Sequence, residues 1–424
     1  MRNYFYKLLC RYLSLYVLPG NTLAEINPVD HRITDYFKGS LSVSAEQLSV
    51  LKKYRPQYVL LNGTVHYLAD IQQFLENLKD QLNADTRVIF MYYSQLWKPL
   101  VAFATSIGIR KKQSEQNWIS PGDIDNFLLL SGYDKVREEQ KILIPVYIPI
   151  LSGLINRYLA PLPFFREFCV VNIVVARPLF PVTKKLSVSV LVPARNEAGN
   201  IEEIIQRLPV MGPDDELIFI EGNSTDNTWQ VIQDMAKKYG KKKNIVIGQQ
   251  EGRGKGDAVR KGFSMATKDI LMILDADITV PPEDLPKFYS AITENKGEFI
   301  NGSRLVYPME KKAMRFFNIL GNKFFAYAFS FVLEQRFKDT LCGTKVMTRE
   351  NYLKLAANRS YFGEFDPFGD FDLLFGSARM GLKIVEVPIT YRERKYGETN
   401  ISRWKHGAIL LGMLLFAARK IKFI

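Results

Sequence analysis

The chain has 424 residues, of which 47% are hydrophobic, 12% aromatic and 24% charged, a composition that builds packed cores and excludes a largely disordered chain. Its length exceeds what one core organises and predicts two domains. Fifty-seven basic against 44 acidic residues give a net charge of +13, which points to an anionic partner such as a phosphorylated substrate, anionic lipid or nucleic acid. Cys10, Cys169 and Cys342 are few and scattered, as are His31, His66 and His406, so neither a disulfide scaffold nor a Cys/His metal cluster is encoded.

From Met1 to Gly20 the chain reads as an amphipathic helix rather than a secretory signal, because Arg11 interrupts the apolar stretch and no small-residue cleavage site follows. Gln57 to Leu61 and Arg87 to Tyr93 read as buried strands, and Ile71, Phe74, Leu75, Leu78 and Leu82 recur at helical spacing. A helix is predicted after Pro121, ending near Gly132. Pro145 and Pro149 break Ile142 to Ile150 and argue against a membrane helix there. The polar stretch Pro181 to Ser187 separates the two regions and sets a boundary near residue 183, giving domains 1–182 and 183–424.

The second region opens with Val188 to Val192, a continuous apolar run of the kind parallel sheets bury on both faces. A helix with Ile201, Ile204, Ile205 and Leu208 on one face follows, then the strand Leu217 to Ile220. Asp226 can cap the next helix, which carries Trp229, Ile232 and Ala236. Asn244 to Gly248 and Ile270 to Leu274 are further strands, with a helix over Ala258 to Ala266 between them. This alternation predicts an α/β, doubly wound sheet whose ligands bind beyond the carboxyl ends of the strands.

The unusual residues fall at those ends. Asp275-Ala276-Asp277 follows a buried strand, and two carboxylates two residues apart can reach one divalent ion, with Mg²⁺ or Mn²⁺ suited to an oxygen-rich site shared with phosphates. Gly252-Arg253-Gly254-Lys255-Gly256-Asp257 precedes a helix, where backbone amides can approach a diphosphate that Arg253 and Lys255 neutralise. Pro193-Ala194-Arg195-Asn196-Glu197 closes the first strand of the region and offers an edge for a base or ribose.

The ordered runs S-V-L-V-P-A-R-N-E-A-G-N-I, E-G-N-S-T-D-N-T, G-R-G-K-G-D-A-V-R-K-G, L-D-A-D, N-G-S-R and D-T-L-C-G-T-K-V resemble a family-2 glycosyltransferase of the GT-A fold, from Ser187 to about Trp404. Within it the chain is most similar to dolichyl-phosphate mannose synthases and bacterial polyprenyl-phosphate glycosyltransferases. The resemblance implies that Asp275 and Asp277 bind the metal and the diphosphate of a nucleotide-sugar donor, and that Pro193, Glu197 and Glu221 line the base and ribose pocket. Arg304 and Arg394 match arginines of the transfer site and acceptor phosphate, for which planar guanidinium forks are suited. Glu221 stands where the family usually has Asp. Thr279 replaces a frequent Gln, and Thr399-Asn400 replace Ser-Lys, which leaves the acceptor less defined than the donor.

The implied reaction inverts the anomeric carbon as the acceptor attacks opposite the nucleoside diphosphate. A polyprenyl phosphate acceptor is already ionised, whereas a glycan, lipid or protein hydroxyl needs a base, for which Asp372 and Asp370 are the candidates. Aromatic residues between Ala313 and Phe337, and the basic-flanked tail Trp404 to Ile424, predict helices at a membrane surface. The apolar run Gly407 to Ala418 has 12 residues, about 18 Å of helix against a hydrocarbon core of about 30 Å. The expected placement is therefore cytoplasmic and peripheral, at the inner face of the membrane. No nucleic-acid module is recognisable.

Asp35 to Pro178 resembles the later part of a class I S-adenosylmethionine-dependent methyltransferase, through V-L-L-N-G-T-V-H-Y-L-A-D-I, T-R-V-I-F-M-Y-Y and E-Q-N-W-I-S-P. Where that family carries a glycine-rich loop, this chain reads Glu25-Ile26-Asn27-Pro28-Val29-Asp30-His31. Side chains there block close approach of the cofactor, and the stretch before Tyr58 looks too short for the usual second strand. The expectation is a truncated Rossmann-like domain without methyl transfer.

Overall fold

The computed structural model describes residues 2–28, 30–108, 117–181, 185–306, 316–359, 371–394, 396 and 403–424. Asp370, Thr399-Asn400 and the boundary near 183 lie outside them. The described chain forms two compact units, one of Met1–Phe180 with Ala418–Ile424 and one of Pro181–Ala417.

The first unit is built on a six-stranded sheet of β1 (Leu23–Ile26), β2 (Leu41–Val43), β3 (Tyr58–Asn62), β4 (Arg87–Tyr93), β5 (Tyr133–Lys141) and β6 (Val171–Pro178), in the order β2-β1-β3-β4-β6-β5. The first four strands run parallel, while β6 lies antiparallel to both β4 and β5. Alternating residues supply both faces. Ala24, Val59, Phe90 and Val174 pack with Phe74, Leu75 and Leu78 of the helix Ile71–Lys79, and Leu60, Ile89 and Ile173 pack with Leu9 and Leu13 of the helix Arg2–Leu13. Burial on both faces explains why β3 and β4 read as unbroken apolar runs.

Two features of this unit depart from the sequence reading. The strand β2 does form ahead of Tyr58, although it is three residues long and pairs with β1 alone. β5, Y-D-K-V-R-E-E-Q-K, gives no apolar signal because its charges pair within the interior: Lys141 Nζ lies 2.5 Å from Glu139 Oε2, and Arg137 stacks 4.2 Å above the Tyr16 ring. The helix Pro121–Leu130 matches expectation and is closed by a capping box between Ser120 and Asp123.

The second unit carries a seven-stranded sheet of β7 (Val188–Ala194), β8 (Glu216–Glu221), β9 (Asn244–Gln249), β10 (Ile270–Ile273), β11 (Phe299–Ser303), β12 (Lys345–Thr348) and β13 (Ile384–Pro388), ordered β13-β11-β12-β10-β7-β8-β9. All neighbours are parallel except β12, which runs antiparallel between β10 and β11. Val190 and Val192 face Ile201, Ile205 and Ile232 in the core. On the opposite face the helix Lys255–Met265 sits so close that a Cβ on Gly262 would fall 2.2 Å from Leu191 Cδ1. Helices thus cover both faces, as the doubly wound reading requires. Asp226 accepts the Thr228 amide at 3.0 Å at the start of the helix Thr228–Tyr239, one residue ahead of the N-cap Asn227.

Among the described residues, the aromatic stretch after Ala313 carries the helix Phe316–Leu333. Ala326, Phe329 and Val332 face the interior, while Leu320, Phe324 and Tyr327 are exposed. The helix Arg403–Ala417 likewise exposes Leu411 and Leu415. Among the described residues no helix is long and apolar enough to cross a membrane. The final residues Ala418–Ile424 pack with the first unit, whereas the sequence reading kept the whole of 183–424 together. There Ile421 and Lys422 are buried, Phe423 stacks on Tyr158, and Arg157 Nε donates to the Phe423 carbonyl at 3.3 Å.

Candidate active site

The loops after β7 and β8 are tied together in the second unit. Asn196, held at φ 57°, accepts the Thr225 amide at 2.8 Å, and Gly222 N–H donates to the Ala194 carbonyl at 2.8 Å. A side chain on Gly222 would crowd Arg195 Cβ at 3.2 Å. Beside this junction lies a cavity of about 410 Å³ lined by Arg195, Gly222, Asn223, Gln250, Arg253 and Gly254. Its charged lining is cationic, and its glycines let backbone approach a ligand. Pro193 is the penultimate residue of β7 and pairs with Ile220. Glu221 ends β8, buried; burial works against its charge, but bonds from Gln249 Nε2 (2.9 Å) and the Ser224 amide (2.5 Å) outweigh this and hold it below the ordinary carboxylate range.

The two aspartates after β10 each meet a cation from a distant segment. Lys255, at the first position of its helix, places Nζ 2.6 Å from Asp275 Oδ1. Burial opposes ionisation of Asp275, but Lys255, Lys345 and Arg304 hold its carboxyl below the usual range. Gly343 stands against the same carboxylate, where a Cβ would lie 2.0 Å from Asp275 Oδ2. Asp277 accepts Thr279 Oγ1 at 2.8 Å through one oxygen and Arg394 Nη2 at 2.6 Å through the other. Arg394 also reaches Glu197 Oε1 at 3.5 Å. Burial pushes Glu197 up to about 7, with Arg394 opposing and Asp277 adding to the rise.

Arg304, just beyond β11, binds the buried Asp339 through two nitrogens, Nε to Oδ2 at 2.6 Å and Nη2 to Oδ1 at 2.9 Å. Asp339 also accepts Asn322 Nδ2 at 2.8 Å and the Leu341 amide at 3.0 Å. Burial alone would raise its pKa, yet Arg304 and these donors hold it at about 2. The Arg304 guanidinium lies 5.2 Å from the centre of the Tyr391 ring. Asp372, in the first turn of the helix Phe371–Arg379, pairs with Arg359 Nε at 3.3 Å.

The residues singled out in the sequence therefore gather into Arg394 with Asp277 and Glu197, and Lys255 with Asp275. Arg195 and Arg253 share the cavity lining. Arg304 meets Asp339, and Asp372 meets Arg359. Asp339, Tyr391 and Gly343 were not singled out, although Asp339 and Gly343 stand inside the run D-T-L-C-G-T-K-V; their roles depend on partners remote in sequence. Among the described residues no group of three or more His, Cys, Asp or Glu side chains is placed to hold a metal.

Residues 189–354 match the family described as Glycosyl transferase family 2. The chain is 30% identical over 222 residues to a dolichol-phosphate mannosyltransferase of Pyrococcus furiosus, covering 51% of this chain and 59% of that protein. It therefore spans less than two thirds of that relative. It is 30% identical over 197 residues to a dolichyl-phosphate hexose transferase of Haloferax volcanii, covering 46% of this chain and 77% of the relative. The glycosyltransferase AglJ of the same organism is 31% identical over 226 residues, 53% of this chain and 69% of its own length. With ordered motifs placed at the strand ends and relatives matched over most of their length, the chain belongs to glycosyl transferase family 2.

Proposed function

We propose that the second unit transfers a sugar, with inversion, from a nucleotide-diphosphate sugar to polyprenyl phosphate. The observation that carries this reading is the pairing of each strand-end aspartate with a cation, Asp275 with Lys255 and Asp277 with Arg394, in the unit that also holds the cationic cavity. The names of the relatives support a lipid-phosphate acceptor.

Asp275 and Asp277 fit Mg²⁺ or Mn²⁺: both offer hard oxygen donors, and their side chains keep 29% and 14% of their surface accessible. When bound, such an ion supplies positive charge to the departing nucleoside diphosphate. Arg195, Arg253 and Lys255 neutralise the donor's diphosphate, and Glu221 and Pro193 stand at the base and ribose side. Arg304 and Arg394 orient the acceptor phosphate, whose oxygen is ionised at neutral pH and attacks without a general base. Asp339 keeps the Arg304 fork in one plane and one rotamer. A hydroxyl acceptor is the alternative, with Asp372 as its base. Exposed Leu320, Phe324 and Tyr327, with Leu411 and Leu415, support work at a membrane surface, peripheral and cytoplasmic.

The first unit is read as a non-catalytic module of methyltransferase ancestry. Glu25, the penultimate residue of β1, is spent internally: its carboxylate accepts Thr34 Oγ1 at 2.7 Å and Asn62 Nδ2 at 3.2 Å and so is taken up by the fold rather than offered to a cofactor. Micromolar binding of S-adenosylmethionine in calorimetry would overturn that reading.

Incubating labelled nucleotide sugars with polyprenyl phosphate and divalent metal tests the main proposal. An acid-labile lipid product is expected. Turnover on hydroxyl acceptors alone would sink it.

A further inference from the structure

The first unit exposes an apolar face that its own fold does not use. Leu96, Leu100, Phe103 and Ile107 follow one another at helical spacing along the turn Gln95–Trp97 and the helix Lys98–Ser106, and each is more than half exposed. A second stripe, Leu151, Leu154 and Tyr158, is exposed on the helical segments Leu151–Leu154 and Ile155–Leu159. Ile150 precedes it, 80% exposed and held at φ 65°, a conformation that β-branched residues rarely adopt. Phe164, 70% exposed, and Phe168 continue the surface, their rings 5.4 Å apart.

These stripes are one surface rather than scattered side chains. Trp97 Nε1 donates to the Phe168 carbonyl at 2.9 Å, joining the first stripe to the phenylalanines. The second stripe runs directly into the phenylalanines through a turn in which Leu162 N–H donates to the Leu159 carbonyl at 3.0 Å, ahead of the helix Pro163–Arg166, and Tyr158 stacks on Phe423 at the chain's last residues. Isolated exposed apolar residues need no explanation, but a contiguous set of this extent marks an interaction surface.

Charge selects the occupant. Segments 95–107, 146–168 and 418–424 carry Lys98, Arg157, Arg166, Arg419 and Lys420 at or near the surface, against Glu167 as their one acidic residue, while Lys422 is turned inward. Trp97, Tyr147 and Tyr158 add rings with an apolar body and a polar tip, the residues that settle at a lipid–water boundary. Apolar side chains beside cations of a single sign match an anionic bilayer, whose headgroups supply the opposite charge and whose acyl boundary takes the apolar stripe. A protein partner is favoured instead where charges of both signs fix a register.

We propose that the first unit docks on an anionic lipid bilayer through this face, with Phe103 and Phe164 entering the headgroup boundary and the lysines and arginines facing phosphates. This goes beyond the acceptor reading, which concerns the second unit alone.

The test uses the full chain and vesicles of equimolar phosphatidylcholine and phosphatidylglycerol. The three native cysteines are buried, so a Phe103→Cys variant takes an environment-sensitive dye at one site. A blue shift of its emission on these vesicles, weaker on pure phosphatidylcholine, is the expected result. The double variant Phe103→Glu, Phe164→Glu, altered at exposed positions and checked for native circular dichroism, is expected to float with vesicles at least about tenfold less. An unchanged dye spectrum, or equal flotation of the double variant, overturns the proposal. So does a concentration-dependent dimer in sedimentation that the double variant abolishes while vesicle binding persists, which gives the face to a second copy. Sugar transfer to a short, water-soluble polyprenyl phosphate is measured on the same samples. Transfer retained by the double variant alongside lost flotation supports docking as a separate function. Transfer absent even from the unaltered chain, with the dye shift intact, overturns the catalytic reading and supports this one.

Discussion

Arg304 and Asp339 form a two-point ion pair inside the second unit, with Nε to Oδ2 at 2.6 Å and Nη2 to Oδ1 at 2.9 Å, and Asp339 has no solvent exposure. Asn322, from the helix Phe316–Leu333, donates to the same carboxylate. Removing one partner of a buried pair strands the other charge. Asp339→Ala is therefore expected to lose about 3–5 kcal/mol of stability in urea denaturation. Asp339→Asn keeps the shape but frees the guanidinium, and in it kcat/KM for the acceptor is expected to fall more than donor affinity does. Equal stability and unchanged kinetics in both variants would remove Asp339 from the account.

Asp277 holds both Arg394 and Thr279. Asp277→Asn removes the negative charge that attracts a divalent ion and Arg394 together, and metal-dependent nucleoside diphosphate release is expected to fall at least about a hundredfold with native circular dichroism. Full activity in this variant, or of the unaltered chain in excess chelator, would contradict the metal assignment.

Gly343→Ala tests the space beside Asp275. The new Cβ would lie 2.0 Å from Asp275 Oδ2 and 2.6 Å from Lys255 Nζ, both at the ends of movable side chains, so the fold is expected to survive while the Asp275–Lys255 pair is pushed apart. A displacement of about 1 Å at a reacting site costs about a hundredfold in rate. Turnover is the readout, with thermal melting to confirm that the core is intact. Undiminished turnover would mean that Asp275 does not need its observed position.

Lys422 lies in the interior of the first unit, where burial lowers its pKa from 10.5 to about 7 although Glu139 pulls upward. At pH values between these two the unfolded chain holds a proton that the folded chain has lost, so stability rises with pH across that window. Below about 7 the cost of burying the ammonium is present in full. Lys422→Met removes it, while Lys141 still pairs with Glu139. The variant is expected to be more stable at neutral pH by on the order of 2–4 kcal/mol, and the difference is expected to shrink as pH approaches 10. Denaturation of both proteins over that range checks the slope; parallel curves would place Lys422 in contact with water.

Val188 to Val192, Leu217 to Ile220 and Ile270 to Leu274 were legible as strands because a strand buried on both faces must be apolar throughout, and that signal is local. Asp275, Asp277, Arg253 and Lys255 were legible for the same reason, since each sits where such a run stops. The sequence by itself therefore determined the strands β7 to β10 of the second sheet and the end of them that carries the polar residues, but not β11, β12 or β13. It did not give the partners. Arg394 reaches Asp277 across 117 residues and Glu197 across 197, and Arg304 meets Asp339 across 35; no periodicity encodes such pairings, because they depend on the antiparallel β12 lying between β10 and β11. β5 was invisible for the converse reason. Its Arg137, Glu139 and Lys141 carry the pattern of a solvated strand, and it is the tertiary structure that surrounds them with Tyr12, Tyr16 and Lys422 and makes their burial tolerable.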